Sequence, residues 1–480
     1  MNASAKNLID RLEVVWYYLR VTKNIYLKEV KMSSILAILI TLGIVIFFHE
    51  LGHFLVAKWV GVRVEVFSLG FGPKIFGFKY KETEYKLSIL PFGGYVKIAG
   101  EYPDQEKTGA PDEFFSKSPF ERIKIVAAGP AFNLLVAVPL YILVALIGFP
   151  VPIVPNIVGE VREGSLAQTF GIKIKDEIVA LEEEKVSNWY EFLEAVQENP
   201  SKELKITILR DGVEKRIEIK SEKEIKTDDL GLDSLIPAEI GSLRGGFPAK
   251  EAGLLKGDLI ASIDGEPILR WDDMVKIIHH SPEKELKMGI KRGGEEFFLN
   301  ITPAANELPT ADGKIEKVGL IGISPKTETE RLPLYQAVKG GFLQTYATIK
   351  LNLFVMQKLI TAQISFKNVA GPVGISQMAS EQAKEGLGGF LAFVAFLSVG
   401  LGILNLLPIP IVDGGSILLF VIEKIRGKMV SLKTQKALHY VGIVFLLSLA
   451  VLATSNDFSR ISKTKAFKEK KEQVIEWIGR

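Results

Sequence analysis

The chain has 480 residues, 48% of them apolar, with a formal net charge of +3 and no cysteine. The lack of cysteine excludes disulfides and thiolate metal sites, and a charge this near neutral, with no basic–aromatic run, argues against nucleic acid as a partner. The length allows roughly two to four folding units.

Residues 1–31 carry charge throughout and lack the apolar core of a signal peptide, so this extension is expected to precede an uncleaved insertion signal. Residues 32–60 read as the first transmembrane helix, and inside it "FFHELGH" sets out His49, Glu50 and His53. Positions four apart share a helix face, so both imidazoles can reach one ion while Glu50 stands beside it as a general base for water. Polar and ionisable groups at bilayer depth are costly, which makes them a functional hypothesis by default.

Residues 61–122 are rich in Lys and Arg and carry a β-hairpin pattern. Phe76, Phe78 and Tyr80 alternate on one strand and Tyr85, Leu87 and Ile89 on the next, with a turn expected at Glu82 and Thr83. Residues 123–155 form a second apolar run long enough to span a bilayer.

The following soluble stretch is a duplication. "GSLAQTFGIKIKDEIVAL" from Gly164 aligns without gaps with "GFPAKEAGLLKGDLIASI" from Gly246, an offset of 82 residues that also superposes Trp189 on Trp271 and Arg210 on Arg292. Each copy, 156–227 and 236–305, alternates short strands around one helix, with hairpins turning on Asp211-Gly212 and Gly293-Gly294. The small-residue turn followed by a Gly/Asp-rich strand start resembles a bacterial PDZ domain, a module that takes a peptide as an added strand.

Residues 332–385 are amphipathic, with Lys350 and Lys358 interrupting apolar positions. They read as an interfacial segment rather than a fifth span, a soluble packing helix being the alternative. Residues 387–423 and 436–456 complete four spans, and 457–480 form a basic tail. The fold class expected is thus an α-helical integral membrane protein with four transmembrane helices, a membrane-associated β-hairpin region and two inserted α+β PDZ-like domains.

A catalytic zinc wants a third protein ligand and an open position for water. The remaining histidines are His279 and His280 in the second copy and His439 at the start of the last span, and cysteine is absent. A carboxylate enters consideration, and Asp413 adjoins the third apolar run in "NLLPIPIVDGG". Pro408 and Pro410 preclude regular helix there. Irregular backbone at membrane depth is tolerated only where it is buried in protein or lines a polar cavity.

The pairing of "FFHELGH" with "NLLPIPIVDGG", together with "AAGPAFN" (Gly129, Pro130, Asn133), resembles the site-2 protease family of intramembrane zinc metalloproteases. The tandem PDZ-like copies narrow the likeness to the Gram-negative regulator of sigma-E protease type. The resemblance implies that His49, His53 and Asp413 bind Zn2+ and that Glu50 activates the water. It implies a substrate-engaging or supporting role for Asn405, Pro408, Pro410, Asn133 and the Gly93, Gly94, Tyr95 stretch. It also implies that the β region 61–122 is membrane-associated, and an inner-membrane location with the PDZ copies in the periplasm. The implied substrates are single-pass membrane proteins, an anti-sigma factor or remnant signal peptides, cut second in a cascade, with membrane lipid and PDZ-bound peptides as further partners. "AGPVGI" (Ala370 to Ile375) matches another family motif without suggesting chemistry. The competing expectations are a non-catalytic PDZ scaffold or peptide receptor and a zinc-binding transporter or sensor. The latter would need a pathway of several carboxylates across the spans.

Overall fold

The computed structural model describes residues 32–101, 109–309, 315–366 and 369–462; the N-terminal extension and most of the basic tail lie outside them. Four of the described helices are long and apolar enough to cross a membrane. The chain divides into two units, one made of residues 1–149 and 330–459 and the other chiefly of residues 150–329.

The first unit holds all four spans. Helix α1 (Met32–Trp59) is followed by strands β1 (Val64–Tyr80) and β2 (Thr83–Ile98), and then by α2 (Pro119–Ile147). Ser118 caps α2 through a reciprocal box with Glu121, and Pro119 sits in the first turn, where its missing N–H costs nothing. The helix stops at Ile147, short of the expected 155, because Gly148 turns to φ 118° and Pro150 and Pro152 lie in an extended segment. At mid-span, Ala137, Leu140 and Val144 of α2 pack with Val45 of α1 and with Val394, Ala395 and Val399 from the third span. Small residues here let backbones approach, which is how helices associate where no hydrophobic drive exists.

The hairpin register pairs Tyr80 with Thr83, so the turn is Lys81-Glu82, with Lys81 at φ 51°. The expected Glu82–Thr83 turn is displaced by one residue because the Thr83 hydroxyl is buried and donates to the Val64 carbonyl. The first half of β1 is paired on both sides: Phe67 faces Val96 across one edge and Tyr85 across the other. Residues 94–98 therefore form an outer ribbon. Ile75, Phe76, Phe78, Tyr80 and Ile89 are exposed, an apolar surface suited to lipid.

After the second unit come α3 (Leu334–Ile360), α4 (Pro372–Lys384), α5 (Leu387–Asn405), α6 (Asp413–Arg426) and α7 (Leu432–Ser462). The amphipathic α3 buries Ala337, Gly341, Thr345 and Thr348, and the Thr348 hydroxyl lies 3.0 Å from that of Tyr141 on α2. Its stripe of small and hydroxyl residues is thus a packing face against α2. The third span is two helices, α5 and α6, separated by the irregular stretch 406–412. Helix α7 is largely uncovered, but Asp457 near its end is only 2% exposed. Its carboxylate accepts from the backbone N–H groups of Gly371, Val373 and Gly374, so the "AGPVGI" motif is the N-terminus of α4 closed by a distant aspartate. Asp457 is accordingly not part of a solvated tail.

The second unit contains the two copies, and their internal bonds repeat at the same offset as their sequences. Asp176 takes Nε and Nη2 of Arg210 at 2.6 Å each, and Asp258 takes those of Arg292 at 2.6 and 2.7 Å. The same guanidinium groups reach the carbonyls of Gly171 and Gly253, and the amides of Lys173 and Leu255 complete each carboxylate. Each copy has a four-stranded sheet and a separate two-stranded ribbon. The ribbons place the domain ends later than 227 and 305. Leu232–Ser234 closes the first copy on Val158–Val161, and Ile323–Pro325 closes the second on Ile240–Leu243 after the intervening hairpin Ala304–Pro309/Ile315–Leu320. Arg270, bonded to Asp273 and to Glu160, links the second copy to the first.

The repeated Arg–Asp pair yields a prediction. Burial alone would raise the Asp258 carboxyl, but the Arg292 hydrogen bonds, the Leu255 amide and the guanidinium charge hold it below its ordinary 3.8. Its native pKa being depressed, the pair stabilises fully above about pH 4, and that contribution disappears as pH falls through the lowered value. Asp258→Asn should cost about 1.5–3 kcal/mol at pH 7 in urea unfolding of residues 150–329. The deficit should shrink toward pH 2, and one that grows in acid would refute the account.

Candidate metal centre

His49 and His53 project from one face of α1 with their Nε2 atoms 3.2 Å apart. Asp413 comes from the first turn of α6, where the break at 406–412 turns the chain. Its Oδ2 lies 3.2 Å from His49 Nε2 and 3.7 Å from His53 Nε2. That oxygen is buried and accepts no hydrogen bond among the described residues. Three ligand atoms within 4.8 Å of one another, two aromatic nitrogens and one unpartnered carboxylate oxygen, make a donor set that fits Zn2+.

The groups behind the imidazoles fix which nitrogen faces the centre. His53 Nδ1 lies 2.9 Å from the Ile125 carbonyl, which can only accept, so the proton sits on Nδ1 and Nε2 offers its lone pair. The Asn133 side-chain amide, fully buried, lies 3.3 Å from His49 Nδ1. With its oxygen toward the ring it accepts the Nδ1 proton and frees Nε2 for the centre. The Ser398 hydroxyl donates to the Asn133 carbonyl and lies 3.4 Å from the amide, placed to accept from the amide nitrogen in that orientation.

Gly129 leaves the space that His53 occupies: a Cβ there would lie 2.2 Å from His53 Nε2. A Cβ at Gly94, on the outer ribbon of the hairpin, would lie 3.2 Å from Glu50 Cγ, so the strand passes directly over the carboxylate. The Glu50 side chain also meets the Val96 backbone N–H. Glu101, at the end of that ribbon, is pushed above the ordinary carboxylate range by burial. Asn405, the last residue of α5, comes within 3.5 Å of His49 Nε2.

The remaining sequence candidates stand further from the ligand atoms. Pro408 and Pro410 shape the break, and Gly442 of α7 packs on the Pro410 carbonyl. Gly93 lies against Phe71, whose ring stacks on Tyr95. Sequence reading missed Ser398, visible only as one hydroxyl in an apolar run, and the packing role of Gly129. It also missed Ile411, a β-branched residue at φ 93°, two positions before Asp413. Such backbone costs on the order of 1–3 kcal/mol and persists only where its surroundings impose it.

An imidazole pair, a facing carboxylate and a second carboxylate at their side, all within apolar helices, define a zinc metallopeptidase built into a membrane bundle. A model described as peptidase family M50 matches residues 37–449. The regulator of sigma-E protease RseP of Escherichia coli is 33% identical over 450 residues, covering 88% of this chain and 98% of its own. The regulator of sigma-W protease RasP of Bacillus subtilis is 33% identical over 447 residues, covering 89% and 99%. A solved PDZ domain of an SdrC-like protein from Listeria monocytogenes is 24% identical over 19% of this chain and 87% of its own, with a TM-score of 0.15, which on its own establishes no relationship. The chain belongs to peptidase family M50, the site-2 zinc metalloproteases. Zinc is its cofactor.

Replacing Gly129 by Ala should displace the His53 ring and lower zinc affinity by about 10–100-fold, with the helices retained. Metal content after dialysis against a graded chelator, beside circular dichroism, checks this. Undiminished zinc retention would show that His53 does not need the space.

Proposed function

We propose that His49, His53 and Asp413 hold the zinc ion and that the enzyme cleaves peptide bonds of single-pass membrane proteins at bilayer depth. The observation that carries this reading is the unpartnered Asp413 oxygen facing two oriented imidazoles, with Glu50 beside them, inside candidate membrane spans. When bound, zinc polarises a scissile carbonyl and brings the pKa of water to about 7. Glu50 takes the proton from the attacking water and returns it to the leaving amine. Asn405 is placed to hold substrate backbone near His49. Hydrolysis needs an unwound segment, because a helical carbonyl is already bonded. The ribbon 94–98 passes over Glu50, and such a segment would add as a strand along its outer edge, where the Val96 and Ile98 amides meet the Glu50 and Glu101 carboxylates.

The names of the Escherichia coli and Bacillus subtilis relatives place those proteins in sigma-factor regulation. By that analogy the substrate here is an anti-sigma factor, with signal-peptide remnants as a second class, cut after another protease has trimmed it. The same analogy puts the enzyme in the inner membrane, with the hairpin region cytoplasmic and the duplicated domains periplasmic. Those domains fit the PDZ pattern, and we assign them a restricting role. They are inserted between the second and third spans, while every proposed ligand lies in the first unit. Exclusion of bulky substrates by size needs no strong peptide binding. A non-catalytic scaffold would have no use for a carboxylate base beside an ion site.

Glu50→Gln should keep zinc and lose activity by about 10²–10⁴-fold, whereas Asp413→Asn should lose both. Metal analysis beside cleavage of a model substrate in proteoliposomes decides, and a Glu50→Gln enzyme cutting at the wild-type rate would overturn the assignment. For the duplicated domains, replacing residues 150–329 by a short linker should admit untrimmed substrate. This cut removes the closing strand Ile323–Pro325, which a deletion ending at 305 would strand. If the deletion protein cleaves trimmed substrate but still refuses untrimmed substrate, the restriction resides in the first unit.

A further inference from the structure

The ends of three elements of the first unit, α1, α2 and α6, meet at one end of its bundle. Trp59 is the last residue of α1 and 75% exposed; Phe120 is in the first turn of α2 and 53% exposed. The Lys124 ammonium lies 4.7 Å from the Phe120 ring centre and 5.4 Å from that of Trp59. The Lys424 ammonium, from the last turn of α6, lies 5.3 Å from the same Phe120 ring. Two cations thus share one exposed ring.

Neither ammonium has a carboxylate within ion-pair distance among the described residues. The nearby acids are already engaged: Glu121 closes the α2 cap with the Ser118 amide and hydroxyl, Glu423 pairs with Arg122 at 2.6 Å, and Glu82 pairs with Lys58. A ring face attracts each cation but does not neutralise it, whereas an anion reached by both would. Because Trp59 and Phe120 stand at the ends of bilayer-spanning helices, the anion available at that depth is a lipid phosphate, with the two rings in the headgroup layer where aromatic side chains settle.

We propose that Trp59, Phe120, Lys124 and Lys424 form a binding site for the headgroup of an anionic phospholipid. The site joins α2, which carries the Ile125 carbonyl and Asn133 behind the imidazoles, to α6, which begins at Asp413 and ends beside Lys424. A phosphate bridging the two lysines ties together the helices that support opposite sides of the metal centre. Anionic lipid therefore steadies the alignment of Asp413 with His49 and His53.

The test uses the full chain in nanodiscs and measures association of spin-labelled phosphatidylglycerol relative to spin-labelled phosphatidylcholine. The wild type should prefer phosphatidylglycerol, and Lys124→Gln/Lys424→Gln should reduce that preference by about tenfold or more, since each basic residue at the surface contributes substantially. The charge-matched control Lys339→Gln/Lys350→Gln should retain it. Lys124 is half-buried and Lys424, Lys339 and Lys350 are exposed, and glutamine keeps most of each aliphatic stem, so circular dichroism beside the lipid measurement checks that both variants fold as the wild type does. Equal loss in the control would reduce the effect to net charge and overturn the site. Absence of any preference in the wild type would do the same. Full competition by millimolar inorganic phosphate would show a free-anion site instead of a lipid site. A cleavage defect of Lys124→Gln/Lys424→Gln in pure phosphatidylcholine, with lipid preference intact, would assign the patch to an acidic segment of the substrate.

Discussion

A carboxylate oxygen that accepts no hydrogen bond among the described residues, set among apolar helices, is the constraint on which the first unit depends. Left to itself, a buried charged group of this kind is costly, and the surrounding structure is arranged around its relief. Asp413 reaches the imidazoles only because the third span breaks at 406–412 and restarts as α6. The imidazoles present their Nε2 atoms only because Ile125 and Asn133 hold the opposite nitrogens. Both of those supports lie on α2, so α2 serves as the frame against which α1 and the broken span are aligned. The metal-facing geometry is a property of three helices, none of which could supply it alone.

The residues to which the chemistry is assigned were legible because they are the wrong kind of residue for their surroundings. Two histidines and a glutamate in an apolar run, and one aspartate after two prolines, stand out against the cost of placing them there. Residues that act by small size or ordinary polarity were not legible. Nothing in the composition of "AAGPAFN" tells that Gly129 makes room for an imidazole, since that space is created by the crossing of α1 and α2. Ser398 looks like any hydroxyl in a span until its bond to Asn133 is drawn. The strained φ of Ile411 is imposed by packing and leaves no trace in residue type.

Boundaries failed for a different reason. Apolar character continues past Ile147, whereas helix does not, because proline and glycine decide backbone geometry independently of hydropathy. In the duplicated unit the repeat pattern covers the sheet and helix of each copy and misses the strand that closes it. In the second copy that strand follows an additional hairpin, so the closing contact is displaced along the chain while its place in the fold is kept. The Arg–Asp staples at Asp176 and Asp258 give each copy its own internal fastening at the repeat offset.

The Asp457 contact bears on how the chain is made. Its three amide donors are translated more than 80 residues before the carboxylate that accepts from them. Until the final helix is inserted, the start of α4 lacks the carboxylate its N–H groups donate to, and the final helix brings an aspartate that needs those donors. Each defect is cured by the other and by nothing earlier in synthesis. A polypeptide truncated before residue 457, or one whose last helix is threaded the wrong way, retains unsatisfied polar backbone against apolar neighbours, a cost that only the completed chain removes.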